Sequence, residues 1–169
     1  MIEAVFSVEL LGPNHDRVAF DCGVPILNSY LQQYARQDLE RGVATPYVLV
    51  HSTNPVEVAG FYTLTATAVK LTELPTETIK KLPKYPLVPA TLLRRLAISL
   101  KYRGKGLGEY VLVDALKRSL EASRVVGSAA VIVDAKDSAG VRFYERYGLK
   151  PLPEQNLRLF IAMKTIAKL

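Results

Sequence analysis

The chain has 169 residues and a mass of 18.7 kDa, and 49% of its residues are apolar against 22% charged, enough for one compact domain (1–169) with a buried core. That balance excludes disorder or a coiled coil as the main state, and no apolar run approaches the roughly 20 residues of a membrane-spanning helix. With one cysteine (Cys22) and two histidines (His15 and His51), neither a disulfide framework nor a Cys/His zinc site can be built within one chain, while a net charge of +6 and a pI near 9.4 favour a polyanionic partner.

The opening residues, Met1 to Ala4, show no basic segment ahead of an apolar one, so a cytoplasmic location is expected, and the single thiol suits a reducing compartment. A first strand is expected from Ile2 to about Leu10, broken by Gly12-Pro13-Asn14. Pro25 is placed to open a helix that runs to about Arg41, with Leu27, Leu31, Tyr34, Ala35 and Leu39 at helical spacing and Gly42 at its end. Pro46 to Ser52 and Val56 to about Ala66 are expected to form a hairpin around Asn54-Pro55. Thr72 to Pro89 carries four prolines and is expected to be a long surface excursion, with at most a short helix over Thr76 to Lys81.

Beyond that point the pattern sharpens. Leu92 to Leu100 is expected as a strand, Lys101 to Gly108 as a glycine-rich turn, and Glu109 to about Arg124 as a helix with Leu112, Leu116 and Leu120 on one face. Ala129 to Val133 follows as a buried strand, Ser138 to Arg146 as a helix stopped by Gly148, and Leu157 to Met163 as a last strand. The alternation implies a partly parallel sheet behind an antiparallel front half, that is, a mixed central sheet of the α/β (α+β) class.

The turn Arg103-Gly104-Lys105-Gly106-Leu107-Gly108 joins a strand to a helix. Glycines there let the backbone approach a ligand closely, the first N–H groups of the helix lack internal partners, and Arg103 and Lys105 add positive charge, so the segment suits a pyrophosphate. It lacks the Ser or Thr of a P-loop, and from Gly104 a dinucleotide fingerprint would need glycine where Glu109 stands. The spacing that fits is Arg-x-x-Gly-x-Gly.

With these residues the sequence resembles the GNAT superfamily of N-acetyltransferases, whose acyl-coenzyme A signature is matched by Arg103, Gly106 and Gly108. Asp137 to Leu149, with Phe143-Tyr144-Glu145 at its centre, resembles a second segment of that family, with Asp137 and Gly140 standing where Asn and Ala are usual. The resemblance implies a single GNAT-like domain with helices on both faces of the sheet and acetyl-CoA as co-substrate, without a metal. It also implies a cofactor set of Leu96, Ala97, Ile98, Arg103, Gly104, Lys105, Gly106, Leu107, Gly108 and Asp137, with a main-chain N–H near Ile98 serving the thioester oxygen. Tyr144 would act as general acid toward the sulfur. A phenol of pKa about 10 facing a thiol of about 8.5 makes full proton transfer uphill by roughly 2 kcal/mol, which a hydrogen bond to the leaving sulfur avoids.

A base is harder to find, since neither histidine lies near these motifs. A lysine amine costs roughly 4 kcal/mol to neutralise at pH 7.4 and an α-amine under about 1, which favours an α-amine acceptor with water taking the proton; Glu57 and Glu109 remain as bases. Cys22 has no histidine placed to activate it and is expected to be buried packing.

A narrower likeness to the GNAT-type toxins of bacterial type II toxin–antitoxin systems rests on Phe20-Asp21-Cys22-Gly23, on Leu93-Arg94-Arg95-Leu96-Ala97 and on Phe143 to Gly148. It implies acetylation of the α-amine of an aminoacyl-tRNA, inhibition of translation, a ribbon–helix–helix antitoxin and a homodimer. Lys80, Lys81, Lys84, Arg94 and Arg95 are then the expected tRNA contacts. The competing readings are acetylation of a protein N-terminus, a lysine or a small amine, and a basic binding module with an inert turn.

Overall fold

The computed structural model describes residues 5–169. The seven strands are β1 (Phe6–Leu10), β2 (Thr45–His51), β3 (Gly60–Lys70), β4 (Leu87–Ile98), β5 (Ala130–Asp134), β6 (Lys150–Leu152) and β7 (Gln155–Ala162). They form one sheet in the order β1-β2-β3-β4-β5-β7-β6, parallel between β4 and β5 and antiparallel within β1-β2-β3 and β5-β7-β6, which is the mixed sheet expected. The helices are α1 (Pro25–Ser29), α2 (Ala35–Glu40), α3 (Thr76–Lys80), α4 (Leu107–Ser123), α5 (Ser138–Glu145) and α6 (Met163–Ile166). Among the described residues no helix is long and apolar enough to cross a membrane.

The chain sorts into two compact units, Met1–Thr65 with Arg94–Ala115 and Ala66–Leu93 with Leu116–Leu169. In the first, Leu31, Ala35, Val48, Phe61 and Ala97 sit in one buried apolar cluster with Phe20 and Cys22. The helix opened by Pro25 runs to Glu40 as expected, but Tyr30–Tyr34 winds as a π-helical turn between α1 and α2. Gly42, at φ 70°, ends it in the left-handed conformation that a side chain resists. The strand expected from Ile2 begins at Phe6; residues 1–4 lie outside the described residues. The connection within the hairpin is longer than expected. Asp16 donates its N–H to Val56 O at 2.8 Å and Glu57 bridges Asp16, so residues 56–57 are taken by another partner and β3 starts only at Gly60.

In the second unit Val69, Leu74, Val88, Leu92, Ile132 and Phe160 form a separate buried cluster. The expected excursion is corrected here. Leu71, Ile79 and Leu82 pack onto that cluster, Leu71 N–H reaches Pro86 O at 3.0 Å, and β4 begins at Leu87, five residues early. Pro89 sits inside the strand without cost to the ladder, because its carbonyl accepts from Ala129 N at 2.8 Å and it has no N–H to leave unpaired. The short strand β6 and the terminal helix α6 were not expected; three-residue and four-residue elements carry too little periodicity to read.

Candidate functional site

In the first unit the end of β4 and the start of α4 are joined by a tightly pinned turn. Ser99 Oγ accepts from Lys101 N, and Leu100 N–H bonds Asp21 O at 2.9 Å. Arg103 donates to the carbonyl of Cys22 at 2.7 Å, so this guanidinium anchors the turn to the loop that opens α1. That loop is held in turn by Asp21, whose carboxylate accepts from Gly23 N and Asn28 Nδ2; these bonds hold its pKa below the usual range. Cys22 is buried, with its thiol directed at Val24 O, as the packing reading expected.

Gly104 and Gly106 both have positive φ, 76° and 75°, and nothing lies within 4 Å of where a Cβ of Gly104 would sit. The helix therefore starts two residues earlier than expected, at Leu107, and its first internal bond runs from Tyr110 N to Gly106 O at 3.2 Å. The N–H groups of Leu107, Gly108 and Glu109 precede that bond, so they lie at the helix end that attracts anions. Leu107 itself is 1% exposed and anchors the turn through its side chain, leaving only its main chain for a ligand. Lys105 is exposed, with its ammonium 5.5 Å from the Tyr102 ring. These features fit the diphosphate of an acyl-coenzyme A.

Gly60 was not singled out in the sequence. A Cβ there would stand 2.7 Å from Ile98 Cδ1 and 2.9 Å from Ala97 O, so β3 can lie this close to Ala97 and Ile98 only through glycine. Its signal was a lone glycine within a β-branched and aromatic run. Nearby, Glu57 accepts from Lys101 Nζ at 2.9 Å and from the Tyr102 hydroxyl. The bond with Tyr102 and then that with Lys101 hold its carboxyl below the usual range, while the Tyr102 phenol is pushed up to about 12. Glu57 is thus a poor base.

Arg94 is exposed, whereas Arg95 is half-buried with its guanidinium carbon 3.8 Å over the Tyr30 ring and Nη1 3.3 Å from Thr63 Oγ1. Burial lowers its pKa.

In the second unit α5 carries Tyr144, 8% exposed, with its ring edge-on to Phe143 at 5.2 Å. Burial pushes its phenol up to about 12, and no described residue hydrogen-bonds the hydroxyl. Asp137 caps the same helix, accepting from Gly140 N at 2.9 Å, so its carboxylate is committed to its own backbone. Lys80, Lys81 and Lys84 are exposed on α3 and the segment after it. The structure thus gathers Leu96–Ile98 and Arg103–Gly108 in the first unit, and places Tyr144, Asp137 and the three lysines in the second.

No protein-family model matches the sequence. It is 30% identical over 170 residues to the "Probable toxin TacT" of Sinorhizobium fredii, spanning 96% of this chain and 93% of that one. It is 31% identical over 149 residues to a "tRNA-acetylating toxin" of Mycobacterium tuberculosis, spanning 88% and 87%. The structure superposes with TM-score 0.89 on AtaT complexed with acetyl-methionyl-tRNAfMet (29% identity, 96% of this chain and 98% of that one). It superposes with TM-score 0.81 on a tyrosine-to-phenylalanine mutant of the AtaT toxin bound to the C-terminus of the antitoxin AtaR and acetyl-CoA (26% identity, 96% of each).

Proposed function

Because this chain belongs to the GNAT-type toxins of toxin–antitoxin systems, we propose that it transfers acetyl from acetyl-coenzyme A to the α-amino group of an aminoacyl-tRNA and so blocks translation. The observation that carries the proposal is the turn Arg103–Gly108, where two left-handed glycines expose the main-chain N–H groups that open α4. When bound, the co-substrate supplies the activated acyl thioester. Leu107, Gly108 and Glu109 receive its diphosphate through their N–H groups, Lys105 adds charge, and Arg103 keeps the turn in place from the Cys22 side.

Tyr144 keeps its proton at any physiological pH and gives a hydrogen bond to the leaving sulfur. With a phenol near 12 and a thiol near 8.5, full transfer is uphill by roughly 5 kcal/mol, so the phenol acts by stabilising charge rather than by releasing its proton early. Glu57 is already engaged, and Glu109 stands in the first turn of α4 at the diphosphate end, so water takes the ammonium proton from an acceptor whose pKa is low enough, such as an α-amine. The basic side chains Lys80, Lys81, Lys84 and Arg94 support contact with the RNA backbone. An antitoxin of ribbon–helix–helix type, a homodimeric state and a cytoplasmic location complete the reading.

Transfer of radiolabelled acetyl to a panel of charged and deacylated tRNAs tests it. Label is expected only on charged tRNA, released with the amino acid on mild alkaline deacylation. Label on lysine peptides or protein N-termini instead, or no transfer to any charged tRNA, overturns it.

A further inference from the structure

Arg95 is the only non-glycine among the described residues with a positive φ, 59°. A long side chain is unfavourable in that region, and such a backbone persists only where its surroundings over-determine it. Here the surroundings are visible. The guanidinium carbon lies 3.8 Å over the centre of the buried Tyr30 ring, and Nη1 reaches Thr63 Oγ1 at 3.3 Å. Thr63, 1% exposed, also donates to the Arg94 carbonyl at 3.2 Å. Tyr30 is fixed by its hydroxyl bond to Asp38 at 2.7 Å and by stacking on Phe61. Tyr30 is also the first residue of the π-helical turn.

The position matters as much as the contacts. The ladder of β4 with β5 runs from Ala90 to Leu93 and ends two residues before Arg95. The next three residues, Leu96–Ile98, are those proposed to lie along the arm of the co-substrate, and they are held against Gly60, with Ser99 N–H on Ala59 O at 2.8 Å. Arg95 breaks the extended backbone of β4 between that ladder and Leu96–Ile98, and it is tied down by an aromatic face.

We infer that Arg95 is a positioning residue for the acetyl-coenzyme A-binding stretch Leu96–Ile98, clamped by Tyr30 and Thr63, and not a contact to RNA phosphate. The inference rests on the acetyl-coenzyme A reading above. The Arg95 guanidinium has one face on the Tyr30 ring and one N–H on the buried Thr63 hydroxyl, whereas its neighbour Arg94 is exposed.

Steady-state kinetics of the full chain with charged tRNA test it through three variants. Arg95→Gly accepts the left-handed backbone without the clamp, Arg95→Lys keeps a cation, and Tyr30→Leu removes the ring. For Arg95→Gly and Tyr30→Leu, KM for acetyl-CoA is expected to rise about tenfold with kcat within about threefold, and KM for tRNA and its salt dependence to stay as in the wild type. Arg95→Lys is expected to recover part of the loss, and the double variant to be little worse than either single one, because the two residues act as one device. An unchanged acetyl-CoA KM in Arg95→Gly and Arg95→Lys overturns the inference, as does a rise confined to tRNA with a shallower salt slope. Calorimetry separates this from the underlying reading. Wild-type protein that fails to bind acetyl-CoA removes the proposed function, whereas wild type that binds it no better than Arg95→Gly removes only the clamp.

Discussion

Met1–Thr65 with Arg94–Ala115 carry 8 lysines and arginines against 9 acidic residues, a net of −1, whereas Ala66–Leu93 with Leu116–Leu169 carry 14 against 7, a net of +7. The first unit also uses its cations internally. Arg17 donates to the carbonyls of Leu31 and Gln32, Arg36 pairs with Glu40, Arg95 stacks on Tyr30, Lys101 pairs with Glu57 and Arg103 holds Cys22 O. In the second, Arg158 pairs with Asp134, but Lys80, Lys81, Lys84, Arg142 and Arg146 are exposed and no ion pair holds them among the described residues. A small anion can be recognised by main-chain amides with few free charges, while a nucleic acid is held by a field of unpaired cations. Under the proposed function the first unit supplies the main-chain cradle for the diphosphate and the second most of the free positive charge, a division that the whole-chain charge of +6 conceals.

The largest test of that division is Tyr144→Phe. Removing the hydroxyl from the second unit is expected to lower kcat at least 100-fold while KM for acetyl-CoA stays within about twofold, in a plain steady-state assay. An unchanged kcat would remove Tyr144 from the chemistry. Gly60→Ala is its counterpart in the first unit. The added methyl meets backbone at Ala97 O, so something must move. KM for acetyl-CoA is expected to rise about tenfold with a stability loss of about 1–3 kcal/mol in denaturant unfolding. Wild-type affinity in that variant would show that residues 97–98 do not contact the co-substrate.

How far all this could be read from residues alone differs between the units. Helix α4 and the turn before it were legible because Leu112, Leu116 and Leu120 mark a helical face and because glycines beside cations have few other uses. Helix α5 was legible from Gly148 (φ 91°) after its end, whereas Asp137, expected in the cofactor set, caps its start. The course of residues 72–89 was not, since prolines suggest exposure whereas burial of Leu74 and Val88 is decided by neighbours far along the chain. The stacking of Arg95 was not legible for a related reason: its charge is visible in the sequence, but the Tyr30 ring it packs on lies 65 positions away. The same holds for Glu57, whose partners Lys101 and Tyr102 are over 40 residues distant.

Charge removal gives smaller effects but addresses the comparison more directly. Arg142→Ala and Arg146→Ala take away exposed guanidiniums in and just after α5, one turn apart and flanking a shallow hollow with Phe143 and Ala139. If each meets a phosphate, each is expected to flatten the slope of log(kcat/KM) for charged tRNA against log salt by about 0.7–0.9, leaving KM for acetyl-CoA alone. Lys105→Ala, in the first unit, is expected to do the reverse. Equal salt slopes in all three variants would break the division of labour and move the RNA interface off α5.

The least dramatic prediction concerns pH, and it distinguishes an enzyme base from the acceptor's own ionisation. Burial keeps the Tyr144 phenol protonated until about pH 12, and Tyr102 stays protonated as far through its bond to Glu57, so neither ends activity below that range. The Glu57 carboxyl is held below the ordinary carboxylate range by Tyr102 and Lys101, so it is ionised at every pH usable in an assay and contributes no rising limb. Of the groups placed in the chemistry, the acceptor amine is the one that ionises between about pH 5 and 9. The rate with charged tRNA is therefore expected to climb tenfold per unit at low pH and to level off near the amine's own pKa, about 7.7 or below. The midpoint should move when the amino acid on the tRNA is changed, and Tyr144→Phe should lower the plateau without moving it. A midpoint fixed across different amino acids would instead belong to the protein, and would mean that a general base operates at a residue other than Glu57.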